Sequence, residues 1–156
     1  MNKEELGNLI IASEDHLYRI AKSLLYNDSD CSDAIQEAIV NSFSKLNTLK
    51  NDKYAKTWLV RILLNECYMI MRKEKKLVSL DAIPDKVIHE AEDYSDLYIA
   101  VSKLPKEMHM AVVLYYVEGF SVKEIAAIEG TTESAIKNRL FKTRARLRML
   151  LEKEEA

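Results

Sequence analysis

Apolar residues recur at intervals of three and four along most of this chain, and no stretch alternates apolar with polar in the manner of a half-buried strand. Leu6, Leu9, Ile10, Leu17, Ile20, Ala21, Leu24 and Leu25 form one stripe, which predicts a first helix or a broken pair of helices. The polar run Asn27, Asp28, Ser29, Asp30 interrupts it. Asp30 is placed to cap a second helix, whose stripe is Ala34, Ile35, Ala38, Ile39, Phe43 and Leu46. Residues 47–54 are expected to form a loop. A third helix is predicted over 55–75, with Trp58, Leu59, Ile62, Leu63, Ile70 and Met71 on one side, ending in a basic string at 72–76.

Periodicity then weakens. Residues 77–94 contain Pro84 and a concentration of acid, which predicts a linker. Its Leu77, Val78, Leu80, Ile83, Val87 and Ile88 are too apolar for a free tether, so parts of it are expected to dock on a domain. A short helix is predicted over 96–103, and Pro105 can occupy the first turn of another that reaches Val117. The fold class is therefore all-α, with two small helical domains at 5–76 and 95–152 joined by a linker at 77–94.

The second domain carries the sharpest local signal. Of the three glycines in the chain, Gly119 and Gly130 bracket one short helical stretch, each where a helix must stop. Between them Ser121 and Glu124 have the spacing of a capping box, in which each side chain satisfies the other's free backbone N–H. Val122, Ile125, Ala126 and either Ile128 or Ala127 continue at helical spacing, Gly130 turns the chain, and Thr131 can cap a further helix. That helix places Ala135, Ile136, Leu140, Thr143, Leu147 and Leu150 on one face. From Lys137 to Arg148 its remainder holds six bases and no acid: Lys137, Arg139, Lys142, Arg144, Arg146 and Arg148. A solvated basic face on a helical hairpin is the bland explanation. The capped, glycine-punctuated geometry favours a helix-turn-helix whose second helix enters a major groove.

Composition adds bounds. The 156 residues suffice for one ordinary domain or two small ones, and the formal charge of -2 gives the molecule as a whole no nucleic-acid signature. The charge is uneven, however: residues 77–105 hold two basic against six acidic side chains, while the bases of the last third crowd into 137–148. Cys31 and Cys67 are far apart, with no second pair or histidine cluster, so neither a zinc site nor a disulfide framework is expected and both are read as small buried side chains. No cofactor or metal is expected. No apolar run approaches the roughly twenty residues needed to span a bilayer. The N-terminus lacks the charged start and apolar core of a signal peptide, so a cytoplasmic protein is expected.

Two motif sets, in order, resemble one family. The first comprises DAIQEA at 33–38, Phe43, and KTWLVRILLN at 56–65; the second comprises LP at 104–105, LYY at 114–116, GFS at 119–121, EIA at 124–126, AIKNRL at 135–140 and RAR at 144–146. Together they resemble the bacterial sigma-70 superfamily, most closely its small extracytoplasmic-function group, over nearly the whole chain. The long linker domain of housekeeping members is missing. The resemblance implies a factor, not itself a catalyst, that binds core RNA polymerase and directs it to promoter DNA. Region 2 would act at the -10 element and region 4 at the -35 element. It also implies an anti-sigma factor as a restraining partner, and no small-molecule substrate or membrane insertion.

Site residues follow by position. The resemblance assigns core polymerase binding to Asp33, Gln36 and Glu37, which lie off the Ile35/Ile39 stripe and offer acceptors to a basic partner. Capping and solvation are their alternative role. Capture of single-stranded -10 bases requires aromatic and cationic groups together, and Asn51, Lys53, Tyr54, Lys56, Arg61 and Asn65 supply them. Tyr54 is the stacking candidate, whereas Trp58 is expected to be a core anchor that positions the loop. At the -35 element, Thr132, Glu133, Ser134, Lys137, Asn138, Phe141 and Lys142 are candidate groove contacts, with Arg139, Arg144 and Arg146 on phosphates. Phe141 can touch a thymine methyl or simply pack. Glu133 can complement its helix N-terminus or read a cytosine amino group.

Two other classes compete. A stand-alone helix-turn-helix transcriptional regulator would bind operator DNA without polymerase, but has no reason to carry the motifs at 33–37 and 58–65. An enzyme has little support, since His16, His89 and His109 are dispersed and no phosphate-cradling glycine loop exists.

Overall fold

The computed structural model describes residues 1–77 and 96–155, and these fold into seven helices with no strand among the described residues. They form two compact units, one built on helices α1 (Lys3–Leu25), α2 (Asp28–Ser44) and α3 (Ala55–Leu77), the other on the helices after residue 95.

In the first unit α1 is one continuous helix. It buries Leu6, Ile10, Ser13, Leu17, Ile20, Ala21, Leu24 and Leu25, the spacing its stripe predicts, with Leu9 displaced from the core. It ends at Tyr26, a non-glycine residue in the left-handed region (φ 64°), whose carbonyl accepts from Lys22 Nζ at 2.7 Å. The cap of α2 is Asn27 and not Asp30: the Asn27 side chain accepts from the Asp30 N–H at 2.8 Å, and its amide donates to the Asp30 carboxylate at 2.9 Å. Three residues separate the two positions, and the chain turns earlier than the polar run alone reveals. Tyr18 donates to Asp28 across the same turn, with Lys22 Nζ 3.1 Å away. The Tyr18 hydrogen bond, then Lys22, holds the Asp28 carboxyl below the usual carboxylate range. That contribution is present above the ordinary carboxylate pKa and is lost as pH falls through the lowered one.

The buried line of α2 is Cys31, Ala34, Ala38 and Ser42, while Ile35, Ile39, Phe43 and Leu46 are half-buried. Small side chains let α2 approach its neighbours closely, which rotates the core-facing line away from the larger residues of the expected stripe. The Ser42 hydroxyl is satisfied by the Ile39 carbonyl at 2.7 Å. Helix α3 packs on both α1 and α2, so its buried arc is broad: Ala55, Thr57, Leu59, Val60, Ile62, Leu63, Leu64 and Cys67. Asn41 donates to Glu66 at 2.6 Å, tying α2 to α3. Between them, single turns of 3-10 helix at Leu46–Thr48 and Asp52–Tyr54 organise the expected loop.

The elements after residue 95 are α4 (Asp96–Ser102), α5 (Lys106–Val112), a π-helical turn at Val113–Val117, α6 (Val122–Glu129) and α7 (Glu133–Glu155). Pro105 stands at the cap position before α5, one residue earlier than the first turn expected for it. His109 sits in the core with Nδ1 3.1 Å from the Val101 carbonyl, tying α5 to α4, as befits a packing residue. The helix expected to run unbroken to Val117 instead widens, with the Glu118 N–H donating to the Val113 carbonyl at 2.9 Å. Val113 and Leu114 stay buried while Tyr115, Tyr116 and Val117 face solvent. Gly119 (φ 76°) then reverses the chain in a conformation that side chains with a Cβ rarely adopt. The linker expected over 77–94 lies outside the described residues apart from Leu77, the last residue of α3, and so does His89.

Replacing Asn27 by Ala removes the cap of α2 and should cost about 1 kcal/mol, measured by urea denaturation with an unchanged slope. Cys31 and Cys67 are both fully buried, and burial pushes the Cys67 thiol up to about 12. Neither should react with a thiol reagent at pH 8 until denaturant unfolds the unit, as mass spectrometry would show.

Candidate nucleic-acid interface

The start of α7 is set by a chain of local hydrogen bonds. Ser121 Oγ accepts from the Glu124 N–H at 3.1 Å and Glu124 Oε1 accepts from the Ser121 N–H at 3.0 Å, the capping box the spacing predicts. Helix α6 buries Ile125, Ala126 and Ile128 and closes on Gly130, in the left-handed region at φ 68°. The cap of α7 is Thr132, whose Oγ1 accepts from the Ala135 N–H at 3.1 Å, and not Thr131. The Thr131 N–H is used by α6, donating to the Ala126 carbonyl at 2.9 Å, so the turn consumes one more residue than expected. Thr132 thus has a structural duty at the position proposed for groove contact. Glu133 follows in the first turn, where its charge complements the helix dipole.

Helix α7 buries Ile136, Leu140 and Thr143 and leaves Glu133, Ser134, Lys137, Asn138, Phe141, Lys142, Arg144 and Arg146 exposed; Arg139 is half-buried. The exposed arc is not one basic face. Helical spacing puts Lys137, Arg144 and Arg148 on one flank and Lys142, Arg146 and Lys153 on the other. Between the flanks lies an apolar strip, Phe141, Ala145 and Met149. Phe141 is 68% exposed, and with Met108, Lys142, Arg146 and Met149 it borders a groove of about 400 Å³. It does not pack into the core. The Arg144 guanidinium donates to the Tyr116 hydroxyl at 3.0 Å.

In the first unit, Asn51 Oδ1 accepts from the Lys53 N–H at 3.0 Å and caps the short turn that carries Tyr54. The Tyr54 ring is half in solvent, with Lys53 Nζ 6.0 Å from its centroid, and the Thr57 hydroxyl donates to the Tyr54 carbonyl at 2.9 Å. Tyr54, Trp58, Arg61 and Asn65 fall on one stripe at the start of α3, and Lys50, Asn51, Tyr54, Trp58 and Arg61 line one concave surface. Lys56 is exposed elsewhere, roughly 140° around the helix from Arg61. Trp58 is not the core anchor expected from its neighbours. It is half-buried on the Tyr54 stripe, and its indole N–H donates to Thr48 Oγ1 at 3.2 Å, holding the loop from outside the core.

On α2, Asp33, Gln36 and Glu37 are exposed together, and Gln36 donates to Ser32 at 3.1 Å. Val40, 62% exposed, continues that face, an apolar residue displaced from the Ile35/Ile39 stripe. The sequence does not reveal Tyr116, because its place beside Arg144 depends on the π-helical turn. Among the described residues no group of three or more His, Cys, Asp or Glu side chains could hold a metal ion, and no helix is long and apolar enough to cross a membrane.

Comparison with known proteins matches both units. Sigma-70 region 2 matches residues 9–77 and sigma-70 region 4 matches residues 95–147. The RNA polymerase sigma factor SigV of Bacillus subtilis is 30% identical over 94% of this chain and 93% of its own length. The ECF RNA polymerase sigma factor SigM of Mycobacterium tuberculosis is 29% identical, over 86% of this chain and 71% of its own. The sigma factor RpoE in the co-crystal structure with the anti-sigma factor NepR from Bartonella quintana superposes with a TM-score of 0.76 at 27% identity, covering 96% of this chain and 98% of that one. The chain belongs to the sigma-70 family of RNA polymerase sigma factors, within its extracytoplasmic-function group.

The corrected cap can be tested directly. Thr132→Ala should destabilise the second unit by about 1 kcal/mol, whereas Thr131→Ala should stay within about 0.5 kcal/mol of the parent, both read from urea denaturation.

Proposed function

We propose that this sigma factor binds core RNA polymerase in the cytoplasm and selects promoters with two separate surfaces, residues 5–76 serving polymerase and the -10 element and residues 95–152 the -35 element. The observation that carries the -35 half is the opening of α7. Glu133, Ser134, Lys137 and Asn138 stand exposed while Ile136 and Leu140 are buried behind them, as a groove-reading helix requires. Lys137 and Asn138 read base edges, while Arg139, Arg144 and Arg146 hold phosphates. Phe141 offers an apolar surface to a thymine methyl.

At the -10 element, Tyr54 stacks a displaced base, with Asn51 and Lys53 shaping the loop and Arg61 and Asn65 continuing the track along α3. Lys56 contributes charge from outside that stripe. The exposed set Asp33, Gln36, Glu37 and Val40 is the polymerase face, combining acceptors with one apolar contact. Regulation falls to an anti-sigma factor, the kind of partner that RpoE has in its co-crystal.

The two faces should fail independently. Lys137→Ala or Asn138→Ala should lower -35 discrimination roughly tenfold while pull-down of core polymerase is unchanged. Gln36→Ala with Glu37→Ala should do the reverse. Parallel loss of both activities in either variant would contradict the division.

A further inference from the structure

The π-helical turn at Val113–Val117 brings two aromatic side chains out of the core. Tyr115 and Tyr116 are 36% and 54% exposed and meet edge to face with centroids 4.9 Å apart. The Tyr116 hydroxyl accepts from Arg144 at 3.0 Å, 28 residues further on and on another element. Such a contact is unlike a neighbouring-turn ion pair, because it joins an exposed arginine to a ring on another element that rests edge to face on Tyr115. An arginine side chain has many rotamers, and a planar guanidinium already held in place loses less of that freedom when it takes up an anion. Only one of its five donors is used in this hydrogen bond. Arg144 also shares its flank of α7 with Lys137, seven residues earlier, whose side chain is exposed.

We propose that Tyr116 is a positioning residue for -35 recognition: it holds the Arg144 guanidinium in the orientation that grips a DNA backbone phosphate. This rests on α7 being the -35 helix. The π-helical turn thereby acquires a role, since it carries Tyr116 outward while Val113 and Leu114 remain in the core.

The test is a double-mutant cycle on the full chain assembled with core polymerase, using anisotropy of a fluorescent promoter duplex at several KCl concentrations. Arg144→Ala should weaken binding and lower the slope of log K against log salt by about one. Tyr116→Phe should weaken binding roughly two- to fivefold, equally on the promoter and on a duplex with a scrambled -35 element, with the melting temperature unchanged. Adding Tyr116→Phe to Arg144→Ala should cause no further loss. Wild-type affinity in Tyr116→Phe, or the same fold loss with and without Arg144, would overturn the proposal while leaving α7 as the -35 helix. No effect of Arg144→Ala itself would overturn the proposal together with the phosphate role of Arg144, whereas equal affinity for the promoter and the scrambled duplex in the wild type would overturn α7 as the -35 helix.

Discussion

Burial of Ile136, Leu140 and Thr143, at 0%, 3% and 1% exposure, fixes the rotation of α7 about its own axis. Each large apolar side chain removed from water contributes roughly 1.5–3 kcal/mol, whereas an exposed charge contact is worth about 0–1 kcal/mol. A shift of one residue would turn these groups by about 100° and expose them, so no rearrangement of surface charge can compete. What α7 shows to solvent is set from behind. The Thr143 hydroxyl is accommodated in the core by donating to the Arg139 carbonyl at 2.6 Å. The caps at Ser121 and Thr132 and the left-handed turn at Gly130 then decide where the helix begins, and so which side chains occupy its first two turns.

The charge arrangement follows from that rotation. Six bases within one stretch of α7 look like a single cationic face in the sequence, yet the helix half-buries Arg139 and divides the other five between two flanks with Phe141, Ala145 and Met149 between. Two cationic rails on either side of an apolar strip suit a duplex, whose phosphates border a groove lined by base edges and thymine methyls. With a formal net charge of -2, the chain relies on local placement and on polymerase for grip, not on a general attraction to DNA. In the proposed function, promoter choice then rests on the few residues in the opening turns.

Much of this was legible in the sequence because it depends on local rules. Helical periodicity, the Ser121–Glu124 spacing and the two punctuating glycines read directly onto α6 and α7. What escaped depended on tertiary packing or on a shift of one to three residues. Asp30 and Thr131 are chemically fit to cap, but Asn27 and Thr132 do so because the preceding helix ends determine which residue the turn reaches. The buried line of α2 ran through Cys31, Ala34, Ala38 and Ser42 because close helix packing favours small residues over large ones. Trp58 lies on the Tyr54 stripe by helical spacing, and its bond to Thr48, a partner no periodicity reveals, ties it to the loop. The π-helical turn, and with it the pairing of Tyr116 and Arg144, left no mark that a helical pattern could register.

Run-off transcription on fragmented genomic DNA, with the full chain added to core RNA polymerase, tests the central claim most directly. Discrete starts absent with core polymerase alone are expected, with upstream sequences that share two elements at a fixed separation. Initiation no greater than that of core polymerase, together with sequence-specific DNA binding by the chain without polymerase, would contradict that claim.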